Sequence, residues 1–124
     1  ASGLLSCKLT KQSKFPQNDH RNYNRDGQFF NVGETFAGLP FEKGVELADD
    51  LKSLVPSGLT MAQMAQRWIL DFDAVSVVIP GASRPEQARA NAEISGLPPL
   101  GPKQHETLQG FYERKVAAHI RGPY

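Results

Sequence analysis

One stretch of this chain reads as a β-strand, and it stands alone. "AVSVVIP", residues 74–80, is short, β-branched and too apolar for an exposed edge. The pattern predicts a buried strand of a parallel sheet. Everything else reads as helix, turn or loop, in the order turn, long loop, helix, helix, strand, helix, connector, helix. A single strong strand among helices cannot make a sheet, so the order predicts one end of an α/β fold rather than a whole one.

The helices are set by periodicity and punctuation. Phe41, Val45, Ala48, Leu51 and Val55 fall at helical spacing, and Pro56 with Ser57-Gly58 ends the run. Thr60 followed three residues later by Gln63 is a capping box that opens the next helix. Its buried stripe is expected from Met61, Met64, Ala65, Trp68 and Phe72, with Gln63, Gln66, Arg67 and Asp71 on the polar positions. After the strand, "GAS" leads into a helix over residues 85–94. Pro85 suits its first position and Arg84, held out of helical φ/ψ by that proline, suits the cap. Ser95-Gly96 closes it. "LPPLGP" is a rigid connector to a last helix over 103–120, whose apolar positions are Leu108, Phe111, Tyr112 and Val116.

Between the opening turn and the first helix, residues 10–40 are polar and aperiodic. A stretch of that length in a compact domain is a functional loop or disorder. Its first part is basic, with Lys11, Lys14, Arg21 and Arg25 against Asp19 and Asp26. The run "HRNYNRDG" reads equally as a cover for an anionic ligand and as a soluble loop. The chain of 124 residues is enough for one core, and a net charge of +1 gives no electrostatic case for nucleic acid. One cysteine, Cys7, fits a reducing, cytoplasmic setting, and no apolar run reaches membrane-spanning length. The opening "ASGLLSCKL" is not a signal peptide. It reads either as a start from which methionine was removed or as a piece of something longer.

Chemistry-bearing clusters are thin. His20, His105 and His119 lack metal-ligand spacing and read as solvated histidines. Asp49-Asp50, Asp71 and Asp73 read as solvated charges; Cys7 has no evident activating partner; Tyr23, Tyr112 and Tyr124 have no base beside them. No catalytic or metal site is expected. The strand–GAS–helix junction is different. Unpaired backbone N–H groups at a helix N-terminus attract anions. Gly81 permits close approach, Ser83 adds a donor and Arg84 a bidentate phosphate partner. The same features belong to many plain strand-to-helix connections, and both readings stand at this point.

"SGLLSCKL", "FNVGETFAGLPFEKGVE", "LTMAQMAQRWILDFDAVSVVIPGASRPEQARANAEIS" and "LPPL" resemble, in that order, the C-terminal part of the aldo-keto reductases. The bacterial branch related to the voltage-gated potassium-channel β subunits is the nearest in wording. The resemblance covers nearly the whole chain. It implies the C-terminal part of a (β/α)₈ TIM barrel, a single partial domain over 1–124, mostly helical with one or two parallel strands. Within it, 1–9 is the loop after the seventh strand, 10–40 a long loop covering the cofactor, and 41–124 the last helices with the eighth strand.

The resemblance also implies NADP(H). Ala1, Ser2, Gly3 and Leu4 fall where the family contacts the pyrophosphate, and Lys8 matches a lysine near the cofactor. Arg21 matches an arginine of the covering loop. Gly81, Ser83, Arg84, Gln87 and Asn91 fall where the family grips the adenosine 2′-phosphate and adenine. Two positions depart from the pattern: Cys7 stands for a customary glycine, and Ala90 for an acidic residue that contacts the adenine. The family's catalytic Asp, Tyr, Lys and His come from the first half of the barrel and map onto nothing here. The implied protein is thus a truncated NADP(H)-dependent reductase that retains the adenosine-phosphate grip and is inactive by itself. Its open barrel edge is expected to be hidden by a homo-oligomer or by a separate N-terminal half. The alternative is a non-catalytic nucleotide-binding or oligomeric interaction module.

Overall fold

The computed structural model describes residues 1–122; Tyr124, at the end of the tail, lies outside the described residues. The helices are α1 (His20–Tyr23), α2 (Phe41–Leu51), α3 (Met61–Leu70), α4 (Pro85–Glu93) and α5 (Pro102–Phe111). A π-turn over Tyr112–Val116 follows α5. The residues group into two compact units. One is Ala1–Leu54 with the chain from Leu108 onward; the other is Val55–Thr107.

The first unit is built on α2. Phe41, Val45 and Ala48 are buried, as their spacing predicts, and the helix passes into a 3₁₀ turn over Lys52–Leu54. Leu4, Phe36, Leu39 and Leu47 complete the core, with Phe15, Phe111, Val116 and Ile120 packed on it. The Phe36 and Phe41 rings lie 4.9 Å apart, and Phe15 meets Phe41 edge-on at 5.5 Å.

The aperiodic 10–40 stretch is ordered by one buried amide. Asn24 is fully buried. Its Oδ1 accepts the backbone N–H groups of Phe29 and Phe30, both at 2.9 Å, and its Nδ2 donates to Thr35 Oγ1 at 3.1 Å. A buried amide satisfied this way fixes a loop that has no periodicity of its own. The following turn is left-handed at Phe36 (φ 53°), Ala37 (φ 54°) and Gly38 (φ 76°). Such backbone costs a non-glycine residue about 1–2 kcal/mol. Complete burial of Phe36 opposes that cost, as do hydrogen bonds from Arg121 Nε to the Gly38 carbonyl (2.9 Å) and from Nη2 to that of Leu39 (3.1 Å).

In the second unit the capping box forms as expected. Gln63 N–H donates to Thr60 Oγ1 at 3.2 Å, and Gln63 Oε1 accepts the Thr60 N–H at 2.8 Å. Met61 and Met64 are buried. Phe72, expected in the same stripe, is 44% exposed and lies past the end of α3. Tyr112, expected on the apolar face of the last helix, is also exposed. Arg84 caps α4 with extended backbone (φ −145°, ψ 148°), and Pro85 opens it.

The strand over 74–80 does not form, and among the described residues there is no sheet. The expectation of one or two parallel strands is therefore corrected: the described residues are helical, with no strand among them. Val77 is 66% and Ile79 89% exposed, the reverse of the burial their pattern predicts. The reason is physical. Strands are stabilised by a ladder to a neighbour and by packing on the sheet face, and β-propensity has little effect without them.

Candidate functional site

Two groups of the expected cofactor residues are brought together, one in each unit. In the first unit, the Ala1–Leu9 turn carries Ser2 and Gly3. Ser2 (φ 51°) and Cys7 (φ 58°) both hold left-handed backbone, as does Gly3 (φ 92°). The side chain of Arg21 reaches this turn: its Nη1 lies 3.7 Å from the position a β-carbon would take at Gly3. Arg21 is held there by a fork of hydrogen bonds to Asp19, from Nε to Oδ1 at 3.0 Å and from Nη2 to Oδ2 at 2.6 Å. Its guanidinium also lies over the Phe15 ring, 4.5 Å from the centroid. Hydrogen bonding from Arg21 holds the Asp19 carboxyl down at about 2.

The remaining first-unit residues are placed differently. Leu4 is buried, and its side chain packs in the core. Lys8 is exposed on the turn. Cys7, at the family's customary glycine, occupies the left-handed conformation that glycine favours.

Ser2 Oγ lies 3.3 Å from His20 Nε2, and His20 Nδ1 lies 3.6 Å from Asp19 Oδ1. The order serine–histidine–aspartate is that of a nucleophilic triad, but the geometry is not. The second distance is too long for a hydrogen bond, both Asp19 oxygens are taken by Arg21, and Ser2 Oγ accepts the Phe36 N–H at 3.1 Å. His20, expected to be solvated, is half-buried beside Ser2.

In the second unit, Gly81, Ser83, Arg84, Gln87 and Asn91 lie together at the start of α4. Gln87 Oε1 accepts from both the Ser83 N–H (2.8 Å) and the Ser83 hydroxyl (3.0 Å). The Gln87 amide is thereby turned so that its NH₂ end is the remaining donor. Arg84 is exposed and, among the described residues, in no ion pair. A β-carbon at Gly81 would meet nothing within 4 Å, so the space over the turn is open. Asn91 Nδ2 faces the Gly81 carbonyl at 3.5 Å, and its Oδ1 accepts from Gln66 Nε2 at 3.2 Å. Behind them lies a groove of about 470 Å³, with Val78, Pro80, Ala88 and Ala92 among its apolar lining and the amides of Gln66 and Asn91 among its polar groups.

This donor set fits a phosphate group. Arg84 and the Gln87 NH₂ are available, and the Ser83 hydroxyl joins them if it turns away from Gln87. Asn91 adds an amide, engaged with Gly81 and Gln66, to the groove wall.

The unit also contains a polar cluster that the sequence reading missed. Arg67 is expected on a polar position of the helix, and Asp71 and His105 as solvated groups; the side chains of the first two are buried and that of the third partly so. Asp71 Oδ1 accepts from Arg67 Nε at 2.9 Å, and Oδ2 accepts from the Leu100 N–H and lies 2.8 Å from His105 Nε2. Arg67 Nη1 donates to the Leu97 carbonyl at 3.3 Å. The His105 ring stacks on Trp68. Burial alone would raise the Asp71 carboxyl, but hydrogen bonds from His105, Leu100 and Arg67 together hold it below its ordinary value. The cluster ties α3 to the 97–100 connector and the start of α5. The four-residue spacing of Arg67 and Asp71 was the one local sign of it.

Arginines thus stand at the Gly3 turn and at the cap of α4. The aldo/keto reductase family model matches residues 1–113, and the chain belongs to that family. It is 29% identical over 96 residues to the aldo-keto reductase YhdN of Bacillus subtilis (strain 168). The match takes in 76% of this chain and 26% of that protein, so the chain spans about a quarter of the length of this relative. No helix of the described residues is long and apolar enough to cross a membrane.

Proposed function

We propose that this chain is the adenosine-phosphate-binding part of an NADP(H)-dependent aldo-keto reductase, of the bacterial branch that its wording resembles, working in the cytoplasm. The observation that carries the reading is Arg84: an exposed residue without an ionic partner among the described residues, at the cap of α4, three positions after a Gly81 whose surroundings are open. In this reading Arg84, Ser83 and Gln87 hold the 2′-phosphate and Asn91 the adenine. Ser2, Gly3, Lys8 and Arg21 of the first unit, with the backbone of Leu4, are the residues that the family resemblance assigns to the pyrophosphate. NADPH, when bound, supplies a hydride to a carbonyl. The residues of this chain bind and orient; proton donation to the carbonyl oxygen falls to residues outside it, so the chain alone does not turn over.

The reading extends to the exposed Val77 and Ile79. They belong to a strand that forms only when neighbouring strands of the complete barrel pair with it. Mixing the chain with the N-terminal remainder of a related reductase should bury this segment and restore carbonyl reduction. Self-association of the chain alone would assign the edge to a homo-oligomer instead.

Calorimetric titration with NADP⁺ tests the site. Binding is expected in the micromolar to millimolar range, weakened at least tenfold by Arg84→Ala. No heat at millimolar NADP⁺ overturns the retained site and leaves a non-catalytic interaction module as the better reading.

A further inference from the structure

The hydrogen bonds behind the α4 start have a direction fixed by one of their members. Asn91 Nδ2 faces the Gly81 carbonyl and Asn91 Oδ1 faces Gln66 Nε2. A backbone carbonyl can only accept, so the end of the Asn91 amide toward Gly81 must be NH₂. Its other end is then oxygen, and Gln66 must present its own NH₂ to it. The Gly81 carbonyl at 3.5 Å and the Gln66 NH₂ at 3.2 Å both favour this one orientation of the Asn91 amide.

We infer that Gln66, on α3, is a positioning residue for the nucleotide site: it takes up the Asn91 oxygen, so that the group Asn91 offers a ligand is an N–H donor. Among the described residues Gln66 makes no hydrogen bond to Ser83, Arg84 or Gln87; its side-chain hydrogen bond is to Asn91. The inference rests on the cofactor-site reading above. The ligand feature it selects is a hydrogen-bond acceptor on the adenine base, and a ligand without a base gains nothing from it. Without Gln66 the Asn91 amide is held only by the long 3.5 Å contact to the Gly81 carbonyl, and its NH₂ is less firmly aimed at the base.

The test uses the full chain with two probes, adenosine 2′,5′-bisphosphate and inorganic phosphate, followed by NMR titration. Gln66→Met keeps the length and packing of the side chain and removes its hydrogen bond. Bisphosphate affinity should fall about five- to tenfold, the equivalent of one lost hydrogen bond. Phosphate affinity and thermal midpoint should stay unchanged. In the wild type, the Asn91 side-chain NH₂ resonances should shift with bisphosphate and not with phosphate. Equal bisphosphate binding by wild type and Gln66→Met overturns the inference alone. So does a variant that loses both probes along with its thermal midpoint, or wild-type Asn91 resonances that bisphosphate leaves in place. A wild-type chain that binds no bisphosphate at millimolar concentration overturns the cofactor-site reading, and this inference with it.

Discussion

His105 Nε2 lies 2.8 Å from Asp71 Oδ2, joining residues 34 positions apart in the sequence. Asp71 is the hub of this contact. Its side chain is only 6% exposed, and it satisfies Arg67 and the Leu100 N–H as well.

Replacing Asp71 by Ala leaves the buried Arg67 guanidinium without its carboxylate. Removing one partner of a buried ion pair costs about 3–5 kcal/mol. Urea unfolding should show a loss in that range for Asp71→Ala. His105→Ala, which leaves the Arg67 pair in place, should cost clearly less.

Acid should weaken the fold through Asp19 and Asp71. Both carboxyls are held below their ordinary value of 3.8, Asp19 at about 2. A group with a lowered folded-state pKa contributes stability that is complete above the unfolded value and lost as pH falls through the folded one. Stability should therefore hold down to about pH 5 and fall between about pH 4 and pH 2. Asp19→Asn should flatten that fall by about 1–2 kcal/mol, allowing for the partial solvent exposure of Arg21. Urea midpoints measured across the range would check it.

Cys7 holds φ 58° and ψ 17° where the family customarily has glycine. Cys7→Gly removes the left-handed penalty of a β-carbon and should raise stability by about 1 kcal/mol. A thermal midpoint that drops would show that the thiol contributes more than the backbone strain costs.

The Thr60–Gln63 box can be tested by Thr60→Ala, which should cost about 1 kcal/mol. Thr60→Ser should retain most of that stability. Thermal melts of the two variants against wild type would show it.

What the sequence determined by itself was local or verbal. The capping box needs residues three apart, the α2 stripe needs spacing within one helix, and Pro85 with Arg84 sets a helix start through its own ring. Each is set by residues within one helix or at its start, so distant contacts are not needed to specify it. The wording of "SGLLSCKL" and "VSVVIPGASRPEQ" carried the family. The tertiary structure decided everything that depends on what packs against what. Asn24 and Thr35 read as ordinary loop polars, yet they are fully buried because the loop closes over them. Arg67 reads as a polar helix position and Asp71 and His105 as solvated, and the three become a cluster only when the connector and α5 return to α3. Residues 74–80 read as a buried strand, and Val77 and Ile79 are exposed because a strand exists only with a partner to complete its hydrogen bonds, and the described chain holds none.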